Sequence, residues 1–295
     1  MPISSSKILI TGAGGMLGRD LAVLFKNRGE FPVETNWPHL DGLIPLDITD
    51  EKKVGDTFAE YQPEVVFNCA AYTNVDGAEK DEELATRVNG KGPGLLAEAC
   101  KKTGIRLVHV STDYVFDGQG SRPYLPDDPT GPRSAYGRSK LAGEEAIRQA
   151  GGDWLIVRTS WLFGQFGKNF VDTILSLARV KPTLRVVNDQ VGCPTYTVDL
   201  ARCLVDLAGK GQQGMVHFCN PPPCSWFDLA RAAVTLAGLP CKVEPCTTAE
   251  FPRPAKRPAY SVLDCTATFE ALGWQPQSWE AAVRQHLHSQ ISNIK

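Results

Sequence analysis

The sequence lacks any apolar run that approaches the roughly 20 residues needed to span a bilayer, so we expect no membrane-spanning helix. A formal net charge of −2 over 295 residues gives no general attraction to nucleic acid or to an anionic membrane. The amino-terminal sequence MPISSSK lacks the long apolar core of a secretion signal. These absences together predict a cytoplasmic protein that binds neither nucleic acid nor membrane.

Cysteine is present, but not in the patterns that bind metal. None of the nine cysteines belongs to a Cys-x-x-Cys pair. The nearest pairs, Cys219 with Cys224 and Cys241 with Cys246, have no histidines at zinc-ligand spacing. We therefore expect reduced thiols and no structural zinc site.

Short apolar runs alternate with helical patterns through the first half of the chain. Residues 7–11, 64–71, 105–112 and 154–160 are typical of strands, and a long helix is predicted from Glu83 to Lys102. The segment FPVETN, residues 31–36, makes a poor strand. The alternation predicts an α/β fold with a Rossmann-type doubly wound parallel sheet that is covered on both faces.

A glycine triplet follows the first predicted strand and opens a helix. In ITGAGGMLG, Gly12, Gly15 and Gly18 stand three residues apart. Missing side chains let backbone approach a pyrophosphate, and a helix N-terminus supplies amide donors and a favourable dipole. The triplet therefore predicts a dinucleotide site, although a tight strand–helix turn without a ligand would need similar glycines.

The regular pattern loosens after Trp161, where proline becomes frequent, as in NPPPCSW and EFPRPAKRP. The sequence therefore predicts a dinucleotide-binding domain over residues 1–160. A smaller, mainly substrate-binding lobe is predicted over residues 161–295, with a segment at about 190–215 returning to the first domain.

The sequence leaves the cofactor open between NADH and NADPH. Glu34 could bind a ribose hydroxyl, whereas Arg19, directly after Gly18, could face a 2′-phosphate. Either residue could equally be an ordinary solvated charge.

A tyrosine and a lysine stand one helical turn apart in SAYGRSKLAGEEA, residues 134–146. Tyr136 and Lys140 share a face at this spacing, and a nearby ammonium lowers the pKa of a phenol. Such a phenol can donate a proton to a carbonyl oxygen. Thr112 ends a predicted buried strand at the sheet edge where doubly wound folds bind ligands, so its hydroxyl could contact the same oxygen.

With these residues in place, the chain resembles the extended short-chain dehydrogenase/reductases, and within them the dTDP-4-dehydrorhamnose reductase family. The resemblance rests on stretches spread through nearly the whole chain. They include VVFNCAAYTNVDGAE, RVNGKGPGLLAEAC, VHVSTDYVFDG, SAYGRSKLAGE, IVRTSWLFG, GKNFVDTIL, VVNDQVGCPTYTVDLA and RPAYSVLD.

The resemblance implies NAD(P)H-dependent reduction of the C4 keto group of dTDP-4-dehydro-6-deoxy-L-mannose to dTDP-L-rhamnose. Tyr136 would donate the proton, Lys140 would hold the nicotinamide ribose and lower the tyrosine pKa, and Thr112 would orient the carbonyl. The implied cofactor-binding residues are Gly12, Gly15, Met16, Leu17, Gly18, Asp47, Ile48, Ala70, Ala71, Asn89, Tyr136 and Lys140. The implied substrate-binding residues are Thr73, Val75, Thr112, Asp113, Tyr136, Trp161, Asn169 and Arg257, with Arg257 toward the diphosphate.

Three of these residues also have purely structural interpretations. Asn89 could be a buried helix amide, Trp161 a core aromatic and Arg257 part of an exposed basic loop. Some family members carry acidic residues that bind magnesium at a dimer interface. The aligned positions here are Asp20 and Val198, and valine cannot ligate a metal. We therefore expect no metal site and leave open whether the protein is a monomer or a homodimer.

Three alternative functions remain. The chain could act on a related nucleotide keto-deoxysugar, or be a 4-epimerase or 4,6-dehydratase of the same fold. The Thr112–Asp113–Tyr114 order, without a glutamate, argues against a dehydratase, because elimination needs a further acid and base. The chain could also be a non-catalytic, cofactor-binding regulatory subunit.

Overall fold

The computed structural model describes residues 7–292, so most of the amino-terminal segment interpreted above as lacking a secretion signal lies outside the described residues. The centre of the fold is a seven-stranded sheet in which every neighbouring pair runs parallel. Its strands are β1 (Ile8–Thr11), β2 (Val33–Asn36), β3 (Ile44–Pro45), β4 (Val65–Asn68), β5 (Arg106–Thr112), β6 (Trp154–Thr159) and β11 (Gly214–His217).

The strand order across the sheet is β3-β2-β1-β4-β5-β6-β11, so the direction of winding reverses between β1 and β4. In open α/β sheets, ligands bind at such a reversal, outside the carboxyl ends of the strands. The FPVETN segment, predicted to be a poor strand, forms β2, because Val33 and Glu34 pair with Leu9 and Ile10. That prediction was wrong, since pairing with a buried neighbour overrides weak strand propensity.

Helices cover both faces of the sheet, as the alternation predicted. Ile8 and Ile10 pack into the hydrophobic core on one face of the sheet, beneath α1 (Met16–Asn27) and α8 (Thr197–Gly209). Leu9, pointing the other way, packs with the core under α2 (Glu51–Tyr61) and α5 (Gly92–Thr103). Successive residues of a strand face opposite sides, so a strand buried on both sides is apolar throughout.

The helix predicted over Glu83–Lys102 is interrupted. The structure has α4 (Glu82–Thr86), a π-helical turn (Arg87–Lys91) and then α5. Asn89 lies in the π-helical turn, where wider winding moves its side chain off the regular helix face. The short helix α3 (Val75–Ala78) and the 16-residue helix α6 (Ala135–Ala150) flank this segment on the site side.

The remaining elements form a smaller body beside the sheet. Its short strands pair as β7 (Leu162–Phe163) with β10 (Thr195–Tyr196), β8 (Thr183–Val187) with β13 (Lys242–Cys246), and β9 (Val191–Gly192) with β12 (Cys224–Ser225). Its helices are α7 (Phe170–Ala178), α9 (Trp226–Leu236) and α11 (Trp279–Ser292). α8 packs on the central sheet, β11 forms its edge strand and α10 (Thr266–Leu272) packs against both, although all three follow this body's first elements in sequence. No helix in the described part of the chain is long and apolar enough to cross a membrane.

Candidate active site

The glycine loop lies at the carboxyl end of β1, against the end of β4. Gly12 has a φ of +66°, and a Cβ there would lie 2.6 Å from the Ala70 backbone nitrogen, so only glycine fits this crossing. A Cβ on Gly18 would lie 2.3 Å from the Gly12 carbonyl oxygen, so α1 packs tightly on the loop. Gly15 is exposed and caps α1 without a side-chain hydrogen bond. The first amides of α1 have no intrahelical acceptor, and this open cradle fits a phosphate.

The other predicted cofactor residues lie along the same edge of the sheet and differ in burial. Leu17 and Ile48 are buried in the cores on opposite faces of the sheet, so their side chains serve packing. Asp47 accepts hydrogen bonds from the backbone nitrogen (2.9 Å) and the hydroxyl (2.8 Å) of Thr49. The half-buried residues at this edge are Met16, Ala70 and Ala71.

Thr112 and Asp113 lie where β5 ends, next to β4 in the sheet. Thr112 Oγ1 donates to Asp113 Oδ1 at 3.0 Å and accepts from the Tyr114 backbone nitrogen at 3.2 Å. Both Thr112 and Asp113 are buried. Burial raises the pKa of the Asp113 carboxyl to about 6, against the opposing effect of the Ser261 and Thr112 hydroxyls.

Tyr136 lies in the first turn of α6, where the Ser134 side chain caps the helix. The Tyr136 phenol lies beside the Thr112 side chain, whose hydroxyl favours the ionised phenol, and the Tyr114 ring packs edge-on with 5.5 Å between ring centroids. The structure thus brings the predicted hydroxyl pair together at the end of β5.

The predicted lowering of the Tyr136 pKa is wrong for this structure. Burial raises the pKa of Tyr136 above its ordinary value, the Asp113 charge raises it further, and only the nearby Thr112 hydroxyl opposes them. The Lys140 ammonium does not supply the opposing charge, because Lys140 Nζ turns toward β5 and donates to the Val110 carbonyl oxygen at 2.7 Å. Burial also lowers the pKa of Lys140 to about 8, with the Glu144 charge opposing it.

Sequence reasoning missed two polar residues beneath Lys140. His109 Nε2 lies 3.3 Å from Lys140 Nζ, and His109 Nδ1 lies 2.9 Å from Asn68 Nδ2. Both residues are buried and face each other across β4 and β5. Their signal in the sequence was a polar residue next to apolar ones in each strand, with Asn68 ending Val65–Asn68 and His109 between Val108 and Val110.

Both the oxygen and the nitrogen of the Asn89 side chain are hydrogen-bonded within the protein. Its Oδ1 accepts from the Tyr72 backbone nitrogen at 2.8 Å, and its Nδ2 donates to the Tyr72 carbonyl at 2.9 Å and to Ser139 Oγ at 3.0 Å. It therefore fixes the loop after β4 to α6. Its predicted direct contact with cofactor stays a prediction.

Two of the predicted sugar-side residues, Arg257 and Trp161, are held by long-range contacts. Arg257 forms a two-point ion pair with Asp76, with nitrogen–oxygen distances of 3.0 and 3.2 Å. Trp161 stacks on Trp226 with 3.7 Å between ring centroids. Asn169 caps α7, with both its side-chain oxygen and nitrogen hydrogen-bonded to the chain. Thr73 is exposed and Val75, at the start of α3, is half-buried, both on the loop after β4.

Ser261 is a third site residue that sequence reasoning missed. Asp113 Oδ2 and Ser261 Oγ interact electrostatically, yet within residues 7–292 neither atom has a partner with good hydrogen-bond geometry. Ser261 Oγ also lies 3.0 Å from where a Cβ on Gly192 would be, beside the Trp161 ring. Nothing in its own sequence context marked Ser261, because long-range packing brings it to β5.

At the positions aligned with magnesium ligands, Asp20 is buried and Val198 half-buried. Burial raises the pKa of Asp20, against the opposing effect of the Thr197 and Gln165 side chains. Residues 7–292 contain no group of three or more His, Cys, Asp or Glu side chains placed to bind a metal ion. All nine cysteines are free thiols, eight of them buried.

The fold and this site define a Rossmann-type protein of the extended short-chain dehydrogenase/reductase class. More particularly, the chain belongs to the family described as the RmlD substrate binding domain, whose family model matches residues 6–291. Membership confirms the resemblance inferred from the motifs and the predicted fold class.

Named relatives match nearly the whole chain. It is 44% identical over 292 residues to a dTDP-4-dehydrorhamnose reductase of Streptomyces griseus, covering 96% of this chain and 94% of the relative. It is 42% identical over 280 residues to a dTDP-4-keto-6-deoxy-D-glucose reductase of Streptomyces niveus, covering 94% and 95%. A solved dTDP-4-dehydrorhamnose reductase of Bacillus anthracis in complex with NADP superposes with a TM-score of 0.89 at 36% identity, covering 98% and 100%.

Proposed function

We propose that the protein reduces the C4 keto group of dTDP-4-dehydro-6-deoxy-L-mannose to dTDP-L-rhamnose, using NAD(P)H. The observation that carries this proposal is the Tyr136 phenol beside the Thr112 side chain at the end of β5, on the same edge of the sheet as the glycine loop. A relative that bears the corresponding name, 44% identical over 96% of this chain, supports the choice of substrate.

Tyr136 is the proposed proton donor. Because burial raises its pKa, the phenol is protonated at neutral pH and can give its proton to a carbonyl oxygen. When bound, the reduced nicotinamide supplies the hydride to C4. The Thr112 hydroxyl lies beside the phenol, where it can orient the carbonyl next to Tyr136.

The glycine loop and the ends of β1 and β4 would hold the cofactor, with the pyrophosphate on Gly12, Gly15 and Gly18. We propose a preference for NADPH. Glu34 is paired with Lys26 at 2.6 Å and lies two residues before the end of β2, so it does not reach a ribose there. Arg19 is exposed beside the loop, with its Nε donating to the Gly14 carbonyl at 3.1 Å.

Arg19→Ala tests that preference. A lost ion pair to the 2′-phosphate should raise the KM for NADPH about tenfold and leave the KM for NADH unchanged. Arg28→Ala, at an exposed arginine that pairs with Asp206, is the control and should change neither KM. Equal effects of Arg19→Ala on both cofactors would remove Arg19 from this role.

The sugar nucleotide would lie between the end of β5 and the smaller body. Arg257 and Lys256 line a cavity of about 110 Å³ that also contacts Tyr114 and Ser134, and two cations there suit a diphosphate. Trp161, Asn169, Thr73, Val75 and Asp113 would border the sugar. In this proposal the division remains at about residue 160, with α8 and β11 belonging to the cofactor side.

The decisive experiment mixes the pure protein with dTDP-4-dehydro-6-deoxy-L-mannose and each reduced cofactor. The proposal expects loss of the reduced-nicotinamide absorbance and formation of dTDP-L-rhamnose, identified by NMR. Absence of cofactor oxidation would favour the regulatory subunit. Stoichiometric NAD in the purified protein would favour an epimerase.

A second candidate function is reduction of dTDP-4-keto-6-deoxy-D-glucose, which the Streptomyces niveus relative favours at 42% identity. The two substrates differ in ring stereochemistry, so presenting both to the protein and comparing kcat/KM separates them.

We also propose a cytoplasmic location, which suits nine free thiols. Light scattering would decide between monomer and homodimer.

A further inference from the structure

A line of hydrogen bonds runs from Lys140 into the sheet through residues that the proposed chemistry does not use. Lys140 Nζ lies 3.3 Å from His109 Nε2, and His109 Nδ1 lies 2.9 Å from Asn68 Nδ2. The Asn68 oxygen in turn accepts from Thr11 Oγ1 at 2.6 Å and from the Ala70 backbone nitrogen at 3.2 Å. His109 is completely buried, so burial and these neighbours set its protonation.

The orientation of the Asn68 amide follows from its neighbours. A backbone N–H can only donate, so the Asn68 atom that faces the Ala70 nitrogen must be the amide oxygen. The amide nitrogen then faces His109 and donates to Nδ1. Burial lowers the pKa of His109 well below its ordinary value, and the Lys140 charge lowers it further, so the imidazole is neutral. Asn68 therefore fixes the tautomer that carries its proton on Nε2.

That tautomer aims an N–H donor at Lys140. An ammonium has three donors and no acceptor, so its contact with the Nε2–H group would place two donors face to face. A neutral amine has a lone pair that can accept the Nε2–H bond while still donating to the Val110 carbonyl at 2.7 Å. The contact therefore favours the amine form of Lys140 over the ammonium form.

Other groups around Lys140 raise or lower its pKa. On its own helix, the Glu144 charge favours the ammonium, but Glu144 is already bound to Arg158 by two hydrogen bonds of 2.7 and 2.9 Å. After β4, a Cys69 thiolate would also favour the ammonium, but burial raises the Cys69 pKa to about 12, so the thiol stays neutral. Burial opposes the ammonium most strongly and lowers the Lys140 pKa to about 8.

We propose that His109 is a positioning residue that sets the proton affinity of Lys140, with Asn68 holding its imidazole in the required tautomer. The inference rests on the proposed function, in which Tyr136 gives its proton to the substrate oxygen. Lys140 Nζ points to Val110, so the ammonium returns a proton to the phenolate through an intervening water and becomes the amine that accepts the His109 hydrogen bond. A proton from bulk solvent restores the ammonium, and the imidazole itself neither gains nor loses a proton.

The wild-type protein gives the first test. In protein labelled with ¹⁵N-histidine, the imidazole nitrogen shifts of His109, assigned by their loss in His109→Phe, report which nitrogen carries the proton. We expect protonated Nε2 and bare Nδ1. A proton on Nδ1 would overturn the proposal, and this measurement needs no variant to be active.

The second test reverses the tautomer. Asn68→Asp keeps the side-chain shape but replaces the Nδ2 donor with an acceptor, so Nδ1 must carry the proton and Nε2 becomes an acceptor for the ammonium. The Lys140 pKa should then rise by about one pH unit or more. It is followed by the ¹⁵Nζ shift of labelled lysine, assigned by its loss in Lys140→Met. An unchanged pKa would overturn the proposal.

A double-mutant cycle separates the imidazole from the added charge. In the His109→Phe background, Asn68→Asp should raise the Lys140 pKa by less than half as much as in the wild type. An equal rise in both backgrounds would mean that the new carboxylate acts through space, which contradicts the proposal. In active protein, the alkaline limb of the kcat–pH profile should move with the Lys140 pKa. If the NMR results hold while no keto sugar is reduced, the proposed function fails and the role of His109 stands.

Discussion

The cofactor side and the sugar side of the site are built by different kinds of contact. At the glycine loop, backbone lies directly on backbone, with Gly12 against Ala70. On the sugar side, side chains that are far apart in sequence hold each other in place. Arg257 pairs with Asp76, 181 residues away, and Trp161 stacks on Trp226. A short motif can therefore specify the cofactor side, whereas the sugar side depends on how distant segments pack.

The two sides also differ in how their buried polar groups are satisfied. Asn68 and Asn89 use both ends of their amides within the protein. Asp113 Oδ2 and Ser261 Oγ are buried without a well-aligned partner among the described residues. A buried unpaired polar atom costs free energy, and atoms at functional sites commonly bear that cost. The contrast suggests that the cofactor side is preformed and the sugar side gains hydrogen bonds from substrate.

The largest expected effect is a loss of kcat at Tyr136, where the cofactor side and the sugar side meet. Tyr136→Phe removes the phenol proton but keeps the ring, so kcat should fall by roughly two or more orders of magnitude while NADPH affinity is retained. Steady-state kinetics and cofactor titration measure both. Tyr114→Phe is the matched control, because its ring packs against Tyr136. An equal loss in Tyr114→Phe would show that Tyr136 is not the specific donor.

On the cofactor side, Gly12→Ala should lower the free energy of unfolding by about 2–4 kcal/mol, because positive φ and the Ala70 backbone both oppose a Cβ. Gly29→Ala is the control for φ alone. Gly29 has a φ of +76° and no atom within 4 Å of the added carbon, so it should cost about 1 kcal/mol. Urea denaturation measures both. Equal costs would mean that the close approach to β4 is unimportant.

On the sugar side, Arg257→Ala should raise the KM for the dTDP sugar about tenfold or more with a smaller change in kcat, because a charged contact to the diphosphate is lost. Arg253→Ala is the control, since Arg253 is exposed and lies 4.0 Å from Asp76. If both variants have the same KM, the arginine serves only its ion pair with Asp76.

The smallest effect is a pH dependence of stability that comes from Lys140. Its pKa in the folded protein is about 8, below the value of about 10.4 for a lysine in an unfolded chain. Between these values the unfolded state binds more protons, so the free energy of unfolding should rise with pH, by at most about 1.4 kcal/mol per pH unit. Urea titrations should show this rise in the wild type and in exposed Lys168→Met, but not in Lys140→Met. A rise that persists in Lys140→Met would assign it to another group.

Much of the framework could be predicted because it depends on local patterns. The two-sided burial of β1 and β4 appears in the sequence as unbroken apolar runs, and the glycine spacing follows from the strand–loop–helix turn. The helix over Glu83–Lys102 was predicted in place but not its π-helical turn, because the bonds of Asn89 to Tyr72 and Ser139 come from other segments. β2 was missed for the same reason, since its strand conformation depends on pairing with β1.

The sequence by itself determined the α/β alternation, the glycine loop and the presence of Thr112, Tyr136 and Lys140, because each depends on side-chain type at short spacing. Only the tertiary structure decided the charge environment of those residues. Spacing alone predicted that Lys140 lowers the pKa of Tyr136, but burial raises it, and Lys140 turns to Val110 and His109 instead. Proton affinity depends on desolvation and on every charge nearby, and folding brings those from strands that are distant in the sequence.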